Sequence, residues 1–262
     1  MRIVVCIKQV PDTTEVKLDP KTNTLIREGV PSIINPDDKA GLEAALRLRE
    51  QVGGTVTVLC MGPPQADVAL REALAMGCDE AVLLSAREFG GSDTWATASI
   101  IAAGLNKIGY DLVITGRQAI DGDTAQVGPQ IAEQLKVPQI SYAEELYNEG
   151  EYMIIKQNFD DRYNTIKAKM PCLITILGEF AIPRYMTVGG IVDAYEKEIT
   201  VLGFEDLKDL LNPEFIGLKG SPTNVIKSFT KQAKGQGTKL ADLSADEAVA
   251  AIIQKLDEIH II

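Results

Sequence analysis

The sequence has few of the residues on which nucleophilic and metal-dependent catalysis most often depends. Its 262 residues include one histidine, His260, the third residue from the end. A Ser-His-Asp triad or a histidine-rich metal site is therefore not expected. The four cysteines show no Cys-x-x-Cys spacing, and Cys6, Cys60 and Cys172 lie in apolar runs. We therefore predict buried free thiols rather than a metal site or a disulfide framework.

Positive charge is also scarce, with 26 Lys and Arg against 37 Asp and Glu, a net charge of −11. Because nucleic-acid binding needs a basic face, we expect none here. The sequence contains no run of 18 apolar residues, so we predict no membrane span. The first apolar run is too short for the core of a signal peptide. We expect a cytoplasmic protein, or a mitochondrial one if a transit peptide precedes this sequence.

Residues 2–135 alternate between short apolar runs and amphipathic helical patterns. The runs at 2–8, 55–60, 80–85 and 111–115 suit buried parallel strands. The segments that follow these runs have apolar residues at helical spacing. This order predicts an α/β fold with a doubly wound, mostly parallel sheet and helices on both faces.

The pattern changes after residue 138 to short strand-like runs separated by turns. We interpret these runs as an antiparallel β extension of the sheet. A further hairpin is predicted at 16–26. The strands expected in the extension are 140–145, 152–158, 164–169 and 171–176.

The C-terminal part of the sequence has the features of an arm that ends in a helix. Residues 219–239 are polar and contain no acid, so they can bury little apolar surface. Ser244 and Glu247 form a capping box that opens an amphipathic helix. An isolated helix of this kind is expected to dock on another domain or subunit. We therefore divide the chain into a nucleotide-binding domain at 1–200 and an arm with its helix at 201–262.

The stretch 114–135 is the strongest candidate for a binding site. A strand leads into a loop that contains Gly116, Gly122 and Asp123, and the loop leads into a helix with Thr124 as the predicted N-cap. Free amides at a helix N-terminus favour an anion. In doubly wound sheets ligands bind beyond the carboxyl ends of the strands. The loops at those ends, 6–13, 35–38, 60–65, 89–94 and 115–124, are expected to form one continuous pocket.

Several motifs resemble those of the beta subunit of an electron transfer flavoprotein (ETF), and they lie in that family's order. They are Val4-Val-Cys-Ile-Lys-Gln-Val-Pro-Asp12, Asn35-Pro-Asp-Asp38, Gly62-Pro-Pro-Gln65, Arg71-Glu-Ala-Leu-Ala-Met-Gly77, Gly116-Arg-Gln-Ala-Ile-Asp-Gly-Asp-Thr-Ala-Gln-Val-Gly128 and Pro183-Arg-Tyr185. The resemblance implies an adenine nucleotide alpha-hydrolase-like fold. It also implies a heterodimer with an ETF alpha subunit, around which the C-terminal arm and helix wrap.

The resemblance implies an adenine nucleotide in the beta subunit and no catalytic side chain. Carrier-type members hold structural AMP and pass electrons from acyl-CoA dehydrogenases. Electron-bifurcating members hold FAD, which takes hydride from NADH. One electron then goes to ferredoxin or flavodoxin, and the other goes through the FAD of the alpha subunit to an acyl-CoA dehydrogenase. In that case the chain would take part in NADH oxidation as well as electron transfer.

The details of the loops resemble the bifurcating subtype more than the carrier subtype. Gly122 and Ala125 remove side chains from the loop, which leaves room for a larger nucleotide. Residues 127–129 and 91–97 resemble the bifurcating group. Asp37 and Thr13 stand where carriers have aromatic residues. We therefore predict FAD, with AMP as the alternative; a non-redox ATP-binding module resembling stress proteins is a more distant one.

The resemblance assigns cofactor-binding roles residue by residue. The adenosine end is expected at Cys6, Asn35, Asp37 and Met61. The flavin ring or its ribityl chain is expected at Asp93, Thr94 and Thr97. The pyrophosphate and ribose are expected at Gly116, Gln118, Thr124, Gln126, Val127 and Gly128. Arg117, Asp121, Gly122, Asp123, Ala125 and Pro129 complete the same cofactor-binding loop. Residues 185–195 are the expected partner-facing segment, although Asp193 and Glu196 are acidic where carriers are rich in lysine.

Overall fold

The computed structural model describes residues 1–12, 31–223, 225, 226, 235, 237 and 239–262. Thr13 and the hairpin predicted at 16–26 lie outside the described residues. The chain divides into two compact units, Met1–Ile226 and Lys227–Ile262. This division lies further along the chain than the boundary expected at residues 200 and 201. Residues 201–226 therefore belong to the same unit as the sheet.

The first unit contains all the described strands. They are β1 (Arg2–Ile7), β2 (Gln9–Pro11), β3 (Ser32–Ile34), β4 (Thr55–Met61), β5 (Glu80–Leu84), β6 (Leu112–Gly116), β7 (Gln139–Glu149), β8 (Tyr152–Phe159), β9 (Arg162–Lys169), β10 (Cys172–Ile176) and β11 (Ile199–Leu202). The helices are α1 (Pro36–Val52), α2 (Asp67–Met76), α3 (Thr94–Ile108), α4 (Val127–Leu135), α5 (Val188–Glu196), α6 (Phe204–Leu207), α7 (Gly217–Gly220) and, in the second unit, α8 (Ala245–Glu258).

The main sheet has the strand order β11-β5-β4-β1-β6-β10-β7-β8-β9. The strands from β11 to β7 pair in parallel, whereas β7, β8 and β9 pair antiparallel. The predicted fold, a doubly wound and mostly parallel sheet, is confirmed. The chain continues from β1 to β4 on one side and later places β6 on the other side. The carboxyl end of β1 is therefore a topological switch point.

One strand of the expected antiparallel extension lies elsewhere. The segment predicted at 171–176 forms β10, which inserts between β6 and β7 and pairs in parallel with both. All five residues of β10 are buried, which is typical of a parallel strand covered on both faces. Its position directly after a hairpin gave the misleading impression of another antiparallel strand. The antiparallel part therefore consists of β7, β8 and β9 alone.

The hydrophobic core has two layers, one on each face of the sheet. Ile3 and Val5 of β1 pack with α1 and α2, whereas Val4 packs with α3 and α4. This alternation follows from the opposite directions of successive side chains along a strand. All four cysteines are buried and free, as predicted. Burial raises the pKa of the Cys78 thiol to about 12 and that of the Cys172 thiol to about 11.

The second unit contains α8, and its start agrees with the sequence. Ser244 Oγ accepts a hydrogen bond from Glu247 N at 3.4 Å, and Glu247 Oε2 accepts one from Ser244 N at 2.8 Å. The capping box is therefore confirmed. Val249, Ile252 and Ile253 lie on one face of α8 and are exposed. Among the described residues, no helix has the length and apolar character needed to cross a membrane.

Candidate functional site

A cavity of about 550 Å³ opens at the carboxyl ends of β1, β4 and β6. It lies at the topological switch point, where doubly wound sheets bind their ligands. All five loops expected to form a pocket contribute lining residues. Lys8 and Met61 are examples, and Asp38 is the contribution of the loop 35–38. A volume of this size suits a nucleotide-sized molecule.

The structure brings most of the predicted binding residues to this cavity. The lining includes Cys6, Met61, Asp93, Thr94, Thr97, Gly116, Arg117, Gln118, Gly122, Thr124, Ala125, Gln126, Val127 and Gly128. The remaining predicted residues, Asn35, Asp37, Asp121, Asp123 and Pro129, do not line it. Of these, Asn35, Asp37, Asp121 and Asp123 contact residues of the surrounding loops through their side chains.

Asn35 lies behind the loop that follows β6 and is fully buried. Its Nδ2 donates to the carbonyl oxygen of Gln118 at 2.8 Å, and its Oδ1 accepts from Ile120 N at 3.0 Å. Both polar ends of the amide side chain are therefore used within the protein. Asn35 shapes the loop and does not itself face the cavity.

Asp38 is a site residue that the sequence reasoning missed. Its Oδ2 accepts from Lys8 N at 2.8 Å, and its Oδ1 accepts from Gly116 N at 3.0 Å. The carboxylate therefore joins the ends of the adjacent strands β1 and β6. Burial raises the pKa of Asp38 to about 7, although its hydrogen bonds from Lys8, Asn35 and Gly116 lower it. The only sequence feature that could have indicated this role is the position of Asp38 in the first helical turn, directly after the Asn-Pro-Asp motif.

The loop before α4 presents a run of free amides. Within the described part of the chain, the backbone N–H groups of residues 124–128 have no hydrogen-bond acceptor. Asp123 and Ala125 both have a left-handed φ of 51°. Residues that alternate between left- and right-handed conformations turn their amides toward one side and form an anion-binding concavity. The N-terminus of α4 adds its dipole to the same place.

The N-cap predicted at Thr124 is wrong. Helix α4 begins at Val127, its N-cap is Gln126, and no side chain caps it. The left-handed residue Ala125 stands between Thr124 and the helix, so the chain does not enter helical geometry at that point. The uncapped first turn leaves its amides available to a ligand.

The cations of the cavity are both paired with acids. Among the described lining residues only Lys8 and Arg117 are positively charged. Lys8 Nζ lies 2.6 Å from Asp121 Oδ1, and Arg117 Nε lies 3.4 Å from Asp37 Oδ2. The Asp121 side chain is only 6% exposed, so its carboxylate is directed at Lys8 and not at solvent. An anion here must be held mainly by backbone amides.

Asp93 caps α3 at the other wall of the cavity. Its Oδ1 accepts from Ala96 N at 3.0 Å, and its Oδ2 accepts from Thr223 N at 2.9 Å. Burial alone would raise the pKa of Asp93, but these hydrogen bonds lower it below its ordinary value. Thr94 Oγ1 donates to Gln126 Oε1 at 3.0 Å and so links the starts of α3 and α4. The cavity thus lies between two helix N-termini.

Two glycines of the loop have different physical roles. A Cβ on Gly122 would meet no atom within 4 Å, so this position leaves open space. A Cβ on Gly128 would lie 2.7 Å from Thr115 Oγ1 and 2.9 Å from Thr175 Cγ2. The absence of a side chain at 128 therefore lets α4 pack closely on β6 and β10. The glycine at 128 is therefore required for the packing of α4, whether or not a ligand is bound.

Comparison with known proteins is consistent with this geometry. Residues 22–206 match the model of the electron transfer flavoprotein domain. The chain is 54% identical to the caffeyl-CoA reductase-Etf complex subunit CarD of Acetobacterium woodii and 54% identical to the electron transfer flavoprotein subunit beta of Clostridium acetobutylicum. It is 50% identical to the acryloyl-CoA reductase electron transfer subunit gamma of Anaerotignum propionicum. Each of these alignments covers 100% of both chains.

The packing of Gly128 can be tested against that of Gly122. We expect Gly128→Ala to lower the free energy of unfolding by about 1–3 kcal/mol, since the new methyl group overpacks the contact with Thr115 and Thr175. Gly122→Ala is the matched control and should change it by less than about 0.5 kcal/mol. Urea denaturation of the purified protein measures both. Equal effects of the two substitutions would contradict the assigned roles.

The titration of Asp38 predicts a pH dependence of stability. Its pKa in the folded protein, about 7, lies above that of an unfolded aspartate. The stability that protonation of Asp38 contributes is therefore fully present below the pKa of the unfolded state, and it is lost as the pH rises toward and through 7. Asp38→Asn removes this titration. We expect the wild type to lose stability relative to the variant between pH 5 and pH 8, by about 1.4 kcal/mol per unit of pKa difference at most. Urea denaturation across that range measures it; a difference independent of pH would refute the assignment.

Proposed function

This chain belongs to the electron transfer flavoprotein family as a beta subunit, and on this premise we propose that its cavity binds FAD for electron bifurcation. An FAD held there would supply the chemistry of accepting hydride from NADH and releasing electrons singly. The electrons would then go to ferredoxin or flavodoxin and, through the FAD of the alpha subunit, to an acyl-CoA dehydrogenase. The observation that carries the proposal is the run of free amides at residues 124–128 beside the cavity.

The residues of the cavity fit the parts of such a cofactor. The free amides before α4 and the dipole of that helix suit a pyrophosphate, which brings negative charge into a cavity whose cations are already paired. Met61 and the buried Cys6 offer an apolar surface to an adenine ring. Thr94 and Thr97 line the cavity at the start of α3, where hydroxyl groups can bind a ribityl chain.

No side chain of the site is needed as an acid or a base. Both oxygens of Asp93 and both oxygens of Asp38 accept hydrogen bonds from protein groups. These carboxylates therefore orient the walls of the cavity. The role of the protein in this proposal is to bind and align the cofactor and to exclude water from part of it.

The choice of FAD over AMP rests on the room in the loop. A Cβ on Gly122 would meet no atom within 4 Å, and the cavity of about 550 Å³ is lined by both Met61 and Thr97. The resemblance of residues 91–97 and 127–129 to the bifurcating subtype supports the same choice. AMP is the second candidate, because a single run of amides suits one phosphate group as well as two.

The exposed apolar side chains at 182–195 support the proposed docking of partners. Tyr185 is 95% exposed and Ile182 is 88% exposed, and Val188 and Tyr195 are exposed beside them. A cluster of this kind marks a protein interaction surface. The names of two relatives include a caffeyl-CoA reductase and an acryloyl-CoA reductase. By this analogy we propose an acyl-CoA dehydrogenase as the partner at this surface.

The flavin content of the heterodimer tests the proposal. The two subunits are produced together, and FAD and AMP are quantified after denaturation. We expect two FAD for each heterodimer, together with oxidation of NADH. One FAD accompanied by AMP would overturn bifurcation and support the carrier function. A colourless protein that binds ATP without an alpha subunit would contradict both.

The role of the C-terminal helix is tested by truncation. We propose that α8 docks on the alpha subunit with the exposed face that contains Val249, Ile252 and Ile253. Deletion of residues 241–262 should then weaken the heterodimer, because the apolar area that α8 buries in the complex is lost. Deletion of 259–262, which leaves α8 intact, is the control. Sedimentation at several concentrations measures the association; equal association of both truncated forms would contradict the proposal.

A further inference from the structure

We propose that Asn35 and Asp38, here called the bracket, are positioning residues that hold the loops of the nucleotide site in their binding conformation. The inference rests on the proposed function only in that the cavity takes a nucleotide. It changes the expected role of Asn35 from a ligand contact to a residue that acts through its neighbours. It also adds Asp38 to the residues on which binding depends.

The bracket holds the end of β1 through the backbone of one residue. Lys8 N donates to Asp38 Oδ2 at 2.8 Å, and the carbonyl oxygen of Lys8 accepts from Asn35 N at 2.9 Å. Both backbone polar groups of Lys8 are therefore tied to the same turn. Lys8 lines the cavity, so its placement shapes one wall directly.

The bracket holds the loop after β6 at three successive places. Asp38 accepts from Gly116 N, Asn35 donates to the carbonyl oxygen of Gln118, and Asn35 also accepts from Ile120 N. Gly116 and Gln118 line the cavity. A Cβ on Gly116 would overlap the carboxylate of Asp38, so the glycine leaves the space that this carboxylate fills. The loop and the bracket are therefore matched in shape as well as in hydrogen bonding.

Burial separates this positioning role from a ligand contact. Asn35 is 0% exposed and does not line the cavity, so none of its atoms reaches a ligand. The hydrogen bonds of the bracket cross from the start of α1 to β1 and β6, which are distant in sequence. Their net effect is to hold the two walls at a set separation before the ligand arrives. Such preorganisation lowers the cost of ordering a site on binding.

Two isosteric substitutions test the bracket in the heterodimer. Asn35→Asp keeps an acceptor for Ile120 N but places a carboxylate oxygen against the carbonyl oxygen of Gln118. Asp38→Asn leaves one of the two amides, Lys8 N or Gly116 N, facing an NH₂ group. Asp67→Asn is the control, because Asp67 is also an acid in a first helical turn, that of α2, and its carboxylate pairs only with Arg71 among the described residues.

Two measurements are made on each variant. Hydrogen exchange of peptides that cover 114–122 reports the loop itself, and titration with AMP and with FAD gives the dissociation constants. We expect faster exchange at 114–122 and an increase of about tenfold or more in the dissociation constant for Asn35→Asp and Asp38→Asn, as for a lost buried hydrogen bond. Exchange in peptides from β8 and β9 should stay as in the wild type, which a general loss of stability would not allow. Asp67→Asn should match the wild type in both measurements.

The outcomes separate this inference from the proposed function. Unchanged exchange at 114–122 in both variants, or dissociation constants within twofold of the wild type, would overturn the bracket. If one substitution prevents folding, the other substitution still tests the bracket, since the two remove hydrogen bonds to different backbone groups. A wild-type heterodimer that bound no AMP, and no FAD beyond that of the alpha subunit, would contradict the proposed function, while hydrogen exchange would still decide whether the bracket holds the loop.

Discussion

The site depends on one buried carboxylate, that of Asp38, which accepts hydrogen bonds from Lys8 N and Gly116 N at the ends of two adjacent strands. β1 and β6 are neighbours at the point where the order of the sheet reverses, so the loops that leave them diverge and open a cavity. Strand pairing ends before this opening. Beyond the last backbone hydrogen bonds between β1 and β6, the side chains at the start of α1 hold the two strand ends together. These hydrogen bonds set the positions of the two loops that form the walls of the cavity.

The electrostatics of the cavity are compatible with the proposed binding of an anion, although the net charge of the protein is −11. Lys8 and Arg117 are each paired with an aspartate, so side-chain charge attracts a phosphate only weakly. The free amides of residues 124–128 and the N-termini of α3 and α4 provide fixed partial positive charges in its place. These dipoles are held by the fold and do not need to reorganise when a ligand binds. The same arrangement leaves the surface acidic while it makes one local site favourable for negative charge.

Local signals predicted much of this structure, and the errors concern features that local signals do not specify. The alternation of apolar runs and helices identified the doubly wound sheet, and the capping box at Ser244 identified the start of α8. β10 was misplaced because five consecutive buried residues indicate a strand covered on both faces without indicating its neighbours. Thr124 was misassigned because the left-handed conformation of Ala125 cannot be inferred from an alanine in a sequence. The resemblance placed Gly128 at the pyrophosphate, and the structure adds a packing role, because a Cβ there would collide with Thr115 and Thr175 where α4 crosses the sheet.

The fold class, the family and the set of loops that meet at the cavity could all be inferred from the order of residues, because strand periodicity, capping residues and motif order are local properties of the chain. The role of each residue at the cavity became clear from the three-dimensional contacts. It placed Asn35 and Asp37 outside the cavity, brought Asp38 to the joint between β1 and β6, and paired both cations with aspartates. These roles depend on distances between residues that are far apart in the chain. Such distances are set by how helices pack on the sheet, and no spacing within the sequence encodes them.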